Sequence, residues 1–317
     1  MLRAAVLDDY QRVATTFGPW ERLSGRVQVE CFSDHLDDAG QLAERLAPFD
    51  IVVAMRERTR FERPLVSQLF HLRLLVTTGS RNAAIDLGAC AEHGVVVSGT
   101  RGVAHGAAER TWALILAASR HLEEEVSNVR AGRWMTTVGR DLRGSRLGVI
   151  GLGRQGRQVA RVGLAFGMDV VAWSEHLTRE RCAEVGVRLV TKDELLSTAD
   201  FVTLHLVLSE RTRGLIGERE LALMRPTAWL VNTSRGPICD EAALVLACSE
   251  GRIAGACLDV FDDEPLPAGH PLRSLPNVLA TPHIGYVTEH TYEVFFTDVV
   301  EDIERWLDGS PVRVVSD

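Results

Sequence analysis

The sequence predicts an α/β protein with two doubly wound parallel sheets. Short apolar runs alternate with amphipathic stretches along nearly the whole chain, a pattern typical of parallel strands covered by helices on both faces. A second α/β series begins at Leu147, after a long helical stretch that separates it from the first. The length of 317 residues is sufficient for two domains.

The first series predicts a complete small α/β unit. Its strands are expected at Arg3–Leu7, Arg26–Phe32, Asp50–Met55, Leu72–Thr77 and Gly94–Ser98. Helices are expected at Leu36–Leu46 and Arg63–Leu69. The stretch Val103–His121 has an apolar stripe and predicts a long helix that continues through Leu122–Gly132.

The second series predicts a larger sheet. Its strands are expected at 147–150, 169–173, 200–206, 228–232, 253–258 and 278–281. Its helices are expected around 154–167, 192–198, 218–224 and 240–250. An amphipathic segment, Thr288–Leu307, and a short run, Val312–Val315, follow.

These last segments can return to the first domain if the second domain is inserted into it. The predicted boundaries are 1–101 plus 287–317 for the first domain and 102–286 for the second. The two crossings, near 99–103 and 284–290, are then expected to form a hinge over a cleft.

Composition excludes several classes of protein. With 46% hydrophobic and 25% charged residues the chain is an ordinary globular one, and its net charge of −8 gives no basic footprint for nucleic acid or membrane. No apolar stretch is long enough to span a bilayer, and the first strand leaves no room for a signal peptide. Six scattered cysteines, without a metal-ligand spacing, predict reduced thiols, no metal and a cytoplasmic location.

A glycine-rich turn lies between the strand at 147–150 and the helix after it. Gly151 permits a tight turn, Gly153 lets a pyrophosphate approach the backbone, and Gly156 allows the helix to pack on the sheet. The N-terminus of the helix, with Arg154 and Gln155 in its first turn, offers N–H groups to phosphates. The strand–turn–helix context favours dinucleotide binding over an accidental glycine loop.

Polar side chains follow three strands of the second series. Arg235 follows the strand at 228–232, Asp259 and Glu264 follow the next, and His283 follows the last. Ligands of open α/β sheets bind outside the carboxyl ends of the strands, so these side chains are expected to face the cofactor. An arginine, a carboxylate and a histidine beside a nicotinamide suit hydride transfer to or from a 2-hydroxy acid.

The sequence resembles the D-isomer-specific 2-hydroxyacid dehydrogenase family, which includes phosphoglycerate, glycerate and hydroxypyruvate enzymes. The motifs that carry the resemblance are GLGRQG (151–156), NTSRG (232–236), LDVFDDEP (258–265) and TPHIG (281–285). The resemblance implies an NAD(P)-binding Rossmann domain inserted into a flavodoxin-like substrate domain. It also implies a homodimer joined through the nucleotide domains, and the chain's end at Asp317 predicts no regulatory extension.

The resemblance assigns three catalytic roles. Arg235 would bind the substrate carboxylate and polarise the keto oxygen, since its planar fork suits a carboxylate. His283 would be the acid/base, and Glu264 would hydrogen-bond it and fix its tautomer. The structural alternatives are a surface ion pair for Arg235, a structural histidine for His283 and a solvated loop charge for Glu264.

The resemblance also places Thr233, Asp259 and Gly285 against the cofactor, although Asp259 could instead cap the following turn. Where an aspartate usually binds the ribose of NAD, this chain has Ser174 followed by Glu175. We expect Glu175 to take that role and NAD to be preferred. NADP stays open, with Arg179 or Arg181 as partners of its 2′-phosphate.

A loop of the first domain is expected to hold the substrate carboxylate by backbone N–H groups. The corresponding residues are Thr78, Gly79, Ser80 and Arg81; the loop lacks the family's usual second glycine and contains Arg81. Arg56 and Arg58 could add positive charge, although surface exposure is the simpler explanation for at least one of them. Tyr286 either shapes the substrate pocket or covers the seam between the domains.

Two other functions fit the same scaffold. One is a non-enzymatic dinucleotide sensor or corepressor, which would bind cofactor without turnover. The other is a relative that oxidises phosphite or formate, although the Glu264–His283 combination argues against formate. The leading hypothesis is a 2-ketoacid reductase or D-2-hydroxyacid dehydrogenase.

Overall fold

The protein is described by a computed structural model for residues 1–316. The chain divides into two compact units. The first unit combines Met1–Val103 with the C-terminal segment from Val287, and the second unit is Ala104–Tyr286. In sequence, the second unit is therefore inserted into the first.

The described residues form twelve strands and eleven helices, with three short 3-10 turns. The strands are β1 Leu2–Val6, β2 Val27–Cys31, β3 Ile51–Ala54, β4 Leu74–Thr77, β5 Val96–Gly99, β6 Arg146–Ile150, β7 Asp169–Trp173, β8 Arg188–Leu189, β9 Phe201–Leu204, β10 Trp229–Asn232, β11 Gly255–Leu258 and β12 Val278–Ala280. The helices are α1 Ala39–Leu46, α2 Arg63–Val66, α3 Leu87–Glu92, α4 Gly106–Ser119, α5 Leu122–Arg130, α6 Arg154–Ala165, α7 Arg179–Ala183, α8 Lys192–Thr198, α9 Glu218–Leu223, α10 Glu241–Ser249 and α11 Glu289–Leu307.

The first unit contains a five-stranded parallel sheet in the order β2-β1-β3-β4-β5. Every residue of β3 and β4 is buried, as expected for strands that helices cover on both faces. Helix starts are fixed by side-chain caps: Asp38 accepts from the N–H of Gln41, and Asp86 accepts from that of Ala89. The order is that of a flavodoxin-like fold.

The second unit contains a seven-stranded parallel sheet in the order β12-β11-β10-β9-β6-β7-β8. The chain starts at β6 in the middle, builds outward to β8, then crosses to β9 and builds outward on the other side. This is the doubly wound order of dinucleotide-binding folds, with the switch point between β6 and β9. The predicted fold class is confirmed in both units.

The long helix predicted from Val103 is interrupted and starts later. It begins at Gly106, where an added Cβ would lie 2.3 Å from the carbonyl oxygen of Gly285, so backbone packs directly against this start. It ends at Ser119, and His121 has a φ of +48° that separates α4 from α5. A left-handed residue cannot continue an α-helix, and the apolar pattern alone gave no sign of it.

Three short elements were missing from the sequence expectations: α3, α7 and β8. Each has six residues or fewer, too few for a clear apolar period. The C-terminal run is not a strand of the sheet. Val314 forms one antiparallel bridge to Ser98, and the N–H of Val315 donates to the carbonyl of Val97 at 2.8 Å.

A buried charge network lies where the C-terminal segment packs in the first unit. Asp298 and Asp302 of α11 are both fully buried. Asp298 accepts from the Arg101 guanidinium at 2.7 Å, and Asp302 accepts from Arg313 at 2.9 Å. Burial raises the pKa of Asp302 to about 7, against the opposing effect of Arg313.

No helix within residues 1–316 has the length and apolarity needed to cross a membrane.

Candidate active site

The glycine-rich turn has the geometry expected of a phosphate-binding loop. Gly151 has a φ of +96°, and a Cβ there would lie 2.5 Å from the carbonyl oxygen of His205. A Cβ at Gly156 would lie 1.9 Å from the carbonyl oxygen of Gly151, so only glycine lets α6 start this close to the turn. A Cβ at Gly153, in contrast, would meet nothing within 4 Å.

Helix α6 begins in that open space. Its N-cap residue is Gly153, which has no side chain to cap the helix. The N–H groups of the first turn, including those of Arg154 and Gln155, are therefore not capped by the N-cap side chain. Uncapped donors at a positive helix end, beside a glycine that leaves room, fit the pyrophosphate of a dinucleotide.

His283 and Glu264 form a direct pair. The His283 Nδ1 lies 2.5 Å from the Glu264 Oε2, and both side chains are largely buried. Because a carboxylate accepts, the proton of neutral imidazole is held at Nδ1, and Nε2 is left as the atom that can exchange a proton with a ligand. The two residues that the sequence predicted to act together are in contact.

The backbone around this pair fixes both side chains. The other Glu264 oxygen, Oε1, accepts from the N–H of Phe261 at 2.9 Å, which anchors the carboxylate in its own loop. His283 has a φ of +51°, and its N–H donates to the carbonyl of Thr281 at 2.9 Å. A histidine in this left-handed region is uncommon, so the turn after β12 aims the ring specifically.

Asp259 holds the loop that carries His283. Its fully buried carboxylate accepts from the Thr281 hydroxyl at 2.5 Å, the Ile284 N–H at 3.0 Å and the Gly285 N–H at 2.7 Å. Burial raises the pKa of Asp259, and the three donors oppose that shift. These bonds give Asp259 a positioning task that neither of the sequence-based alternatives included.

Arg235 lies beyond the end of β10 in a turn shaped by Asn232. The Asn232 amide donates to the carbonyl of Arg235 at 2.9 Å and accepts from the N–H of Ser234 at 3.0 Å. The Arg235 Nη1 donates to the carbonyl of Ser234 at 2.8 Å. Since Asn232 pairs in register with Leu258, and Leu258 with Ala280, all three strands end at one edge of the sheet.

The residues after β7 are open to solvent on the cofactor side of the second unit. Glu175 has 62% of its side chain exposed, and its Oε2 lies 3.5 Å from the Nη1 of Arg211. Ser174, directly before it, is half-buried. Thr233, after β10, is buried, and its hydroxyl pairs with that of Thr111 at 2.7 Å.

In the first unit, the loop predicted to hold a carboxylate uses half of its N–H groups internally. The N–H of Thr78 donates to the carbonyl of Ala54 and that of Gly79 donates to the Thr100 hydroxyl at 2.7 Å. Ser80 and Arg81 are exposed, and across residues 1–316 their N–H groups donate to no protein acceptor. Thr78 and Gly79 thus shape the loop, and Ser80 and Arg81 supply its available donors.

Both arginines after β3 are half-buried and bonded. The Arg56 Nη1 donates to the carbonyl of Thr78 at 3.2 Å and packs where a Cβ of Gly79 would lie. The Arg58 guanidinium lies over the Tyr10 ring, 4.8 Å from its centroid, and donates to the carbonyl of Asp8. The expectation that at least one is an exposed surface arginine is wrong.

Comparison with known proteins decides the family. Residues 112–285 match the family model "D-isomer specific 2-hydroxyacid dehydrogenase, NAD binding domain". A glyoxylate reductase from Aeropyrum pernix is 43% identical over 242 residues, which cover 73% of this chain and 72% of the relative. The chain belongs to the D-isomer-specific 2-hydroxyacid dehydrogenase family. The four motifs therefore predicted it correctly, and NAD(H) is the cofactor of the second unit.

Two further relatives of this dehydrogenase support the same family membership. A D-3-phosphoglycerate dehydrogenase from Methanocaldococcus jannaschii is 37% identical over 85% of this chain but only 52% of its own length, so the chain spans about half of that relative. The crystal structure of a phosphoglycerate oxidoreductase from Vibrio cholerae O395 matches with a TM-score of 0.94 and 37% identity, covering 98% of this chain and 100% of that one. These relatives do not support the corepressor alternative.

Three residues of the site were not found from the sequence. Thr281 and Asn232 lie inside recognised motifs, and a polar side chain at a strand end was the available signal for each. Arg211 is 36 residues from Glu175 and had no signal in the sequence. No group of three or more potential metal-ligating side chains occurs in the described part of the chain.

Proposed function

We propose that the dehydrogenase reduces small 2-keto acids to D-2-hydroxy acids with NADH, and catalyses the reverse oxidation. The observation that carries the proposal is the His283–Glu264 pair, 2.5 Å apart at the end of β12. Glyoxylate is the first candidate substrate, because a glyoxylate reductase is among the relatives. The bound nicotinamide supplies the hydride, and the protein's own residues bind the keto acid and move the proton.

His283 donates the proton in the reductive direction. The imidazolium gives its Nε2 proton to the oxygen of the reduced carbonyl, and in the oxidative direction neutral Nε2 takes the hydroxyl proton. Glu264 stabilises the charged ring and holds Nδ1 protonated throughout. Asp259 acts through the loop 281–285 and is a positioning residue.

Arg235 binds the carboxylate of the keto acid and polarises its carbonyl. A guanidinium offers two parallel donors to a carboxylate and stays charged at any working pH. In the first unit, the available N–H groups of Ser80 and Arg81 are proposed to donate to the same class of anion. Arg56 supports that loop by its bond to Thr78.

NADH is the proposed preference over NADPH. Ser174 follows β7 at the position where an acidic residue usually accepts from the ribose hydroxyls of NAD, and Glu175, one residue later, is proposed to take that role. Its negative charge opposes a 2′-phosphate, which carries about −1.5 to −2 charges. The six free thiols, five of them buried, support the proposed cytoplasmic location.

A second copy of the chain is proposed to cover α5 and the segment after it. Trp134, Met135 and Val138 are 74%, 79% and 91% exposed. Glu125 of α5 accepts from the N–H of Thr136 at 3.0 Å, so this apolar segment lies against the helix. An apolar surface of this kind marks an interaction site.

The dimer is tested by sedimentation velocity. The substitutions Trp134→Glu and Val138→Glu together are expected to give monomers. Phe70→Glu is the matched control, because Phe70 is 88% exposed in the first unit and lies outside the proposed interface. A monomeric unmodified protein, or a double variant that stays dimeric, contradicts the proposal.

The activity is tested by following NADH and NADPH absorbance with a panel of glyoxylate, pyruvate, hydroxypyruvate and 3-phosphohydroxypyruvate. Turnover of at least one of them with NADH supports the proposal. Phosphite and formate, tested with NAD, address the alternative oxidation. Tight NADH binding without turnover of any compound would overturn the proposed activity.

A further inference from the structure

The second unit carries a contact between two loops that flank its switch point. In its sheet, β6 lies between β7 and β9, and the glycine-rich turn follows β6. Dinucleotides bind in the crevice outside the carboxyl ends of these strands. Loops that follow β7 and β9 therefore border the cofactor on opposite sides of the glycine-rich turn.

Arg211 reaches from the segment after β9 to the residues directly after β7. Its Nη1 lies 3.5 Å from the Glu175 Oε2 and 3.4 Å from the His176 Nε2. The three side chains are exposed by 70%, 62% and 78% for Arg211, Glu175 and His176. An exposed ion pair contributes little to the free energy of folding. The Arg211–Glu175 pair is therefore expected to matter mainly through its effect on the charge of a bound ligand.

We infer that Arg211 sets the cofactor preference of this dehydrogenase, together with Glu175. The inference rests on the proposed function, because it concerns how the same site distinguishes NADH from NADPH. With NADH, Glu175 accepts from the ribose hydroxyls while Arg211 pairs with its carboxylate. With NADPH, the guanidinium of Arg211 pairs with the 2′-phosphate and offsets its repulsion by Glu175.

The other two arginines considered as partners of the 2′-phosphate, Arg179 and Arg181, form no ion pair with Glu175 within residues 1–316. Both are exposed residues of the five-residue helix α7. Arg211, in contrast, already lies next to the carboxylate of Glu175, which is proposed to set the preference for NADH over NADPH. A group that contacts Glu175 responds directly when that carboxylate is changed.

Substitutions of Arg211 and of Glu175 are expected to change NADPH affinity in opposite directions. Removing the Arg211 guanidinium takes away the positive charge that a 2′-phosphate needs but leaves Glu175 to bind ribose hydroxyls. Removing the Glu175 charge takes away the repulsion and leaves Arg211 free to pair with the phosphate. NADPH binding should therefore weaken in one variant and strengthen in the other.

The experiment measures dissociation constants of NADH and NADPH by calorimetry, without any keto acid. Arg211→Ala is expected to weaken NADPH binding about tenfold and to change NADH binding by less than about threefold. Glu175→Gln is expected to strengthen NADPH binding about tenfold. Arg219→Ala is the matched control, because Arg219 is also an exposed arginine paired with carboxylates, Asp193 and Glu220.

The outcomes separate this inference from the proposed function. An unchanged ratio of NADPH to NADH affinity in Arg211→Ala overturns the inference, and so does loss of NADPH binding in Arg179→Ala or Arg181→Ala instead. Either of these binding results leaves the proposed activity standing, provided that the unmodified protein reduces keto acids. Failure of the unmodified protein to bind either nucleotide contradicts the proposed function and the inference with it.

Discussion

Replacing Glu264 by glutamine removes the negative charge next to His283 and the acceptor for its Nδ1 proton. Glutamine has nearly the same shape, but when its single oxygen accepts from the N–H of Phe261 at 2.9 Å, its amide NH2 faces Nδ1 of His283 and cannot accept from that atom. What is lost is the charge-assisted hydrogen bond that Nδ1–H of His283 donates to the carboxylate. The imidazolium that forms in one direction and reacts in the other is then less stable.

The structure allows the size of this effect to be worked out. A hydrogen bond to a charged group contributes about 1.5–3 kcal/mol, and both side chains here are largely buried, which limits screening by water. At about 1.4 kcal/mol for each tenfold change, Glu264→Gln should lower kcat/KM by roughly 10- to 150-fold. NADH affinity should stay within about threefold, because Glu264 binds no part of the cofactor in the proposed mechanism.

The assay is steady-state reduction of the best keto acid, followed by NADH absorbance, together with calorimetric NADH binding. Asp263→Asn is the matched control, since Asp263 is the neighbouring exposed loop carboxylate. Its kinetics should equal those of the unmodified enzyme. If Glu264→Gln also retains full kcat/KM, the carboxylate does not assist His283 and the reasoning is refuted.

Three further predictions concern the substrate anion, the cofactor turn and the buried network. Arg235→Ala should lower kcat/KM for keto acids by about 100-fold, with KM raised as well, and unchanged kinetics would reject its role. Gly156→Ala should abolish measurable NADH binding, because its Cβ would lie 1.9 Å from the Gly151 carbonyl oxygen, whereas Gly269→Ala, with nothing within 4 Å, should bind NADH normally. The pKa of Asp302, raised from 3.8 to about 7, means that the folded protein holds a proton that the unfolded chain releases, so Tm should fall as pH rises through that window. Asp302→Asn should flatten this fall, and an identical pH dependence would contradict the assignment.

The fold was largely accessible from the sequence because its strands are apolar and separated by helices of ordinary length. Buried parallel strands such as Ile51–Ala54 leave continuous apolar runs, and the alternation of these runs with amphipathic stretches indicated parallel sheets covered by helices. The break between α4 and α5 was not accessible, because the left-handed turn at His121 interrupts no apolar period. Short elements such as α7 were missed for the reason that a five-residue helix has barely more than one turn.

The main site residues could be predicted because they follow strands. Contacts between segments that are distant in the sequence could not be predicted. Parallel strands bring their carboxyl ends to one edge, so Glu264 and His283 were expected in the same region, and the family resemblance implied that they pair. The internal bonds of the Thr78–Gly79 loop could not be predicted, because the Thr100 hydroxyl that accepts from Gly79 comes from after another strand. The same limit hid the contact between Arg211 and Glu175.

The central claim is that Nε2 of His283 carries the proton of the reaction, with Nδ1 held by Glu264. Single-turnover reduction of the best keto acid by NADH in His283→Gln tests it most directly. The account predicts a rate lower by roughly 10³-fold, with NADH affinity within about threefold of the unmodified enzyme. A single-turnover rate within a few-fold of the unmodified enzyme's would contradict it.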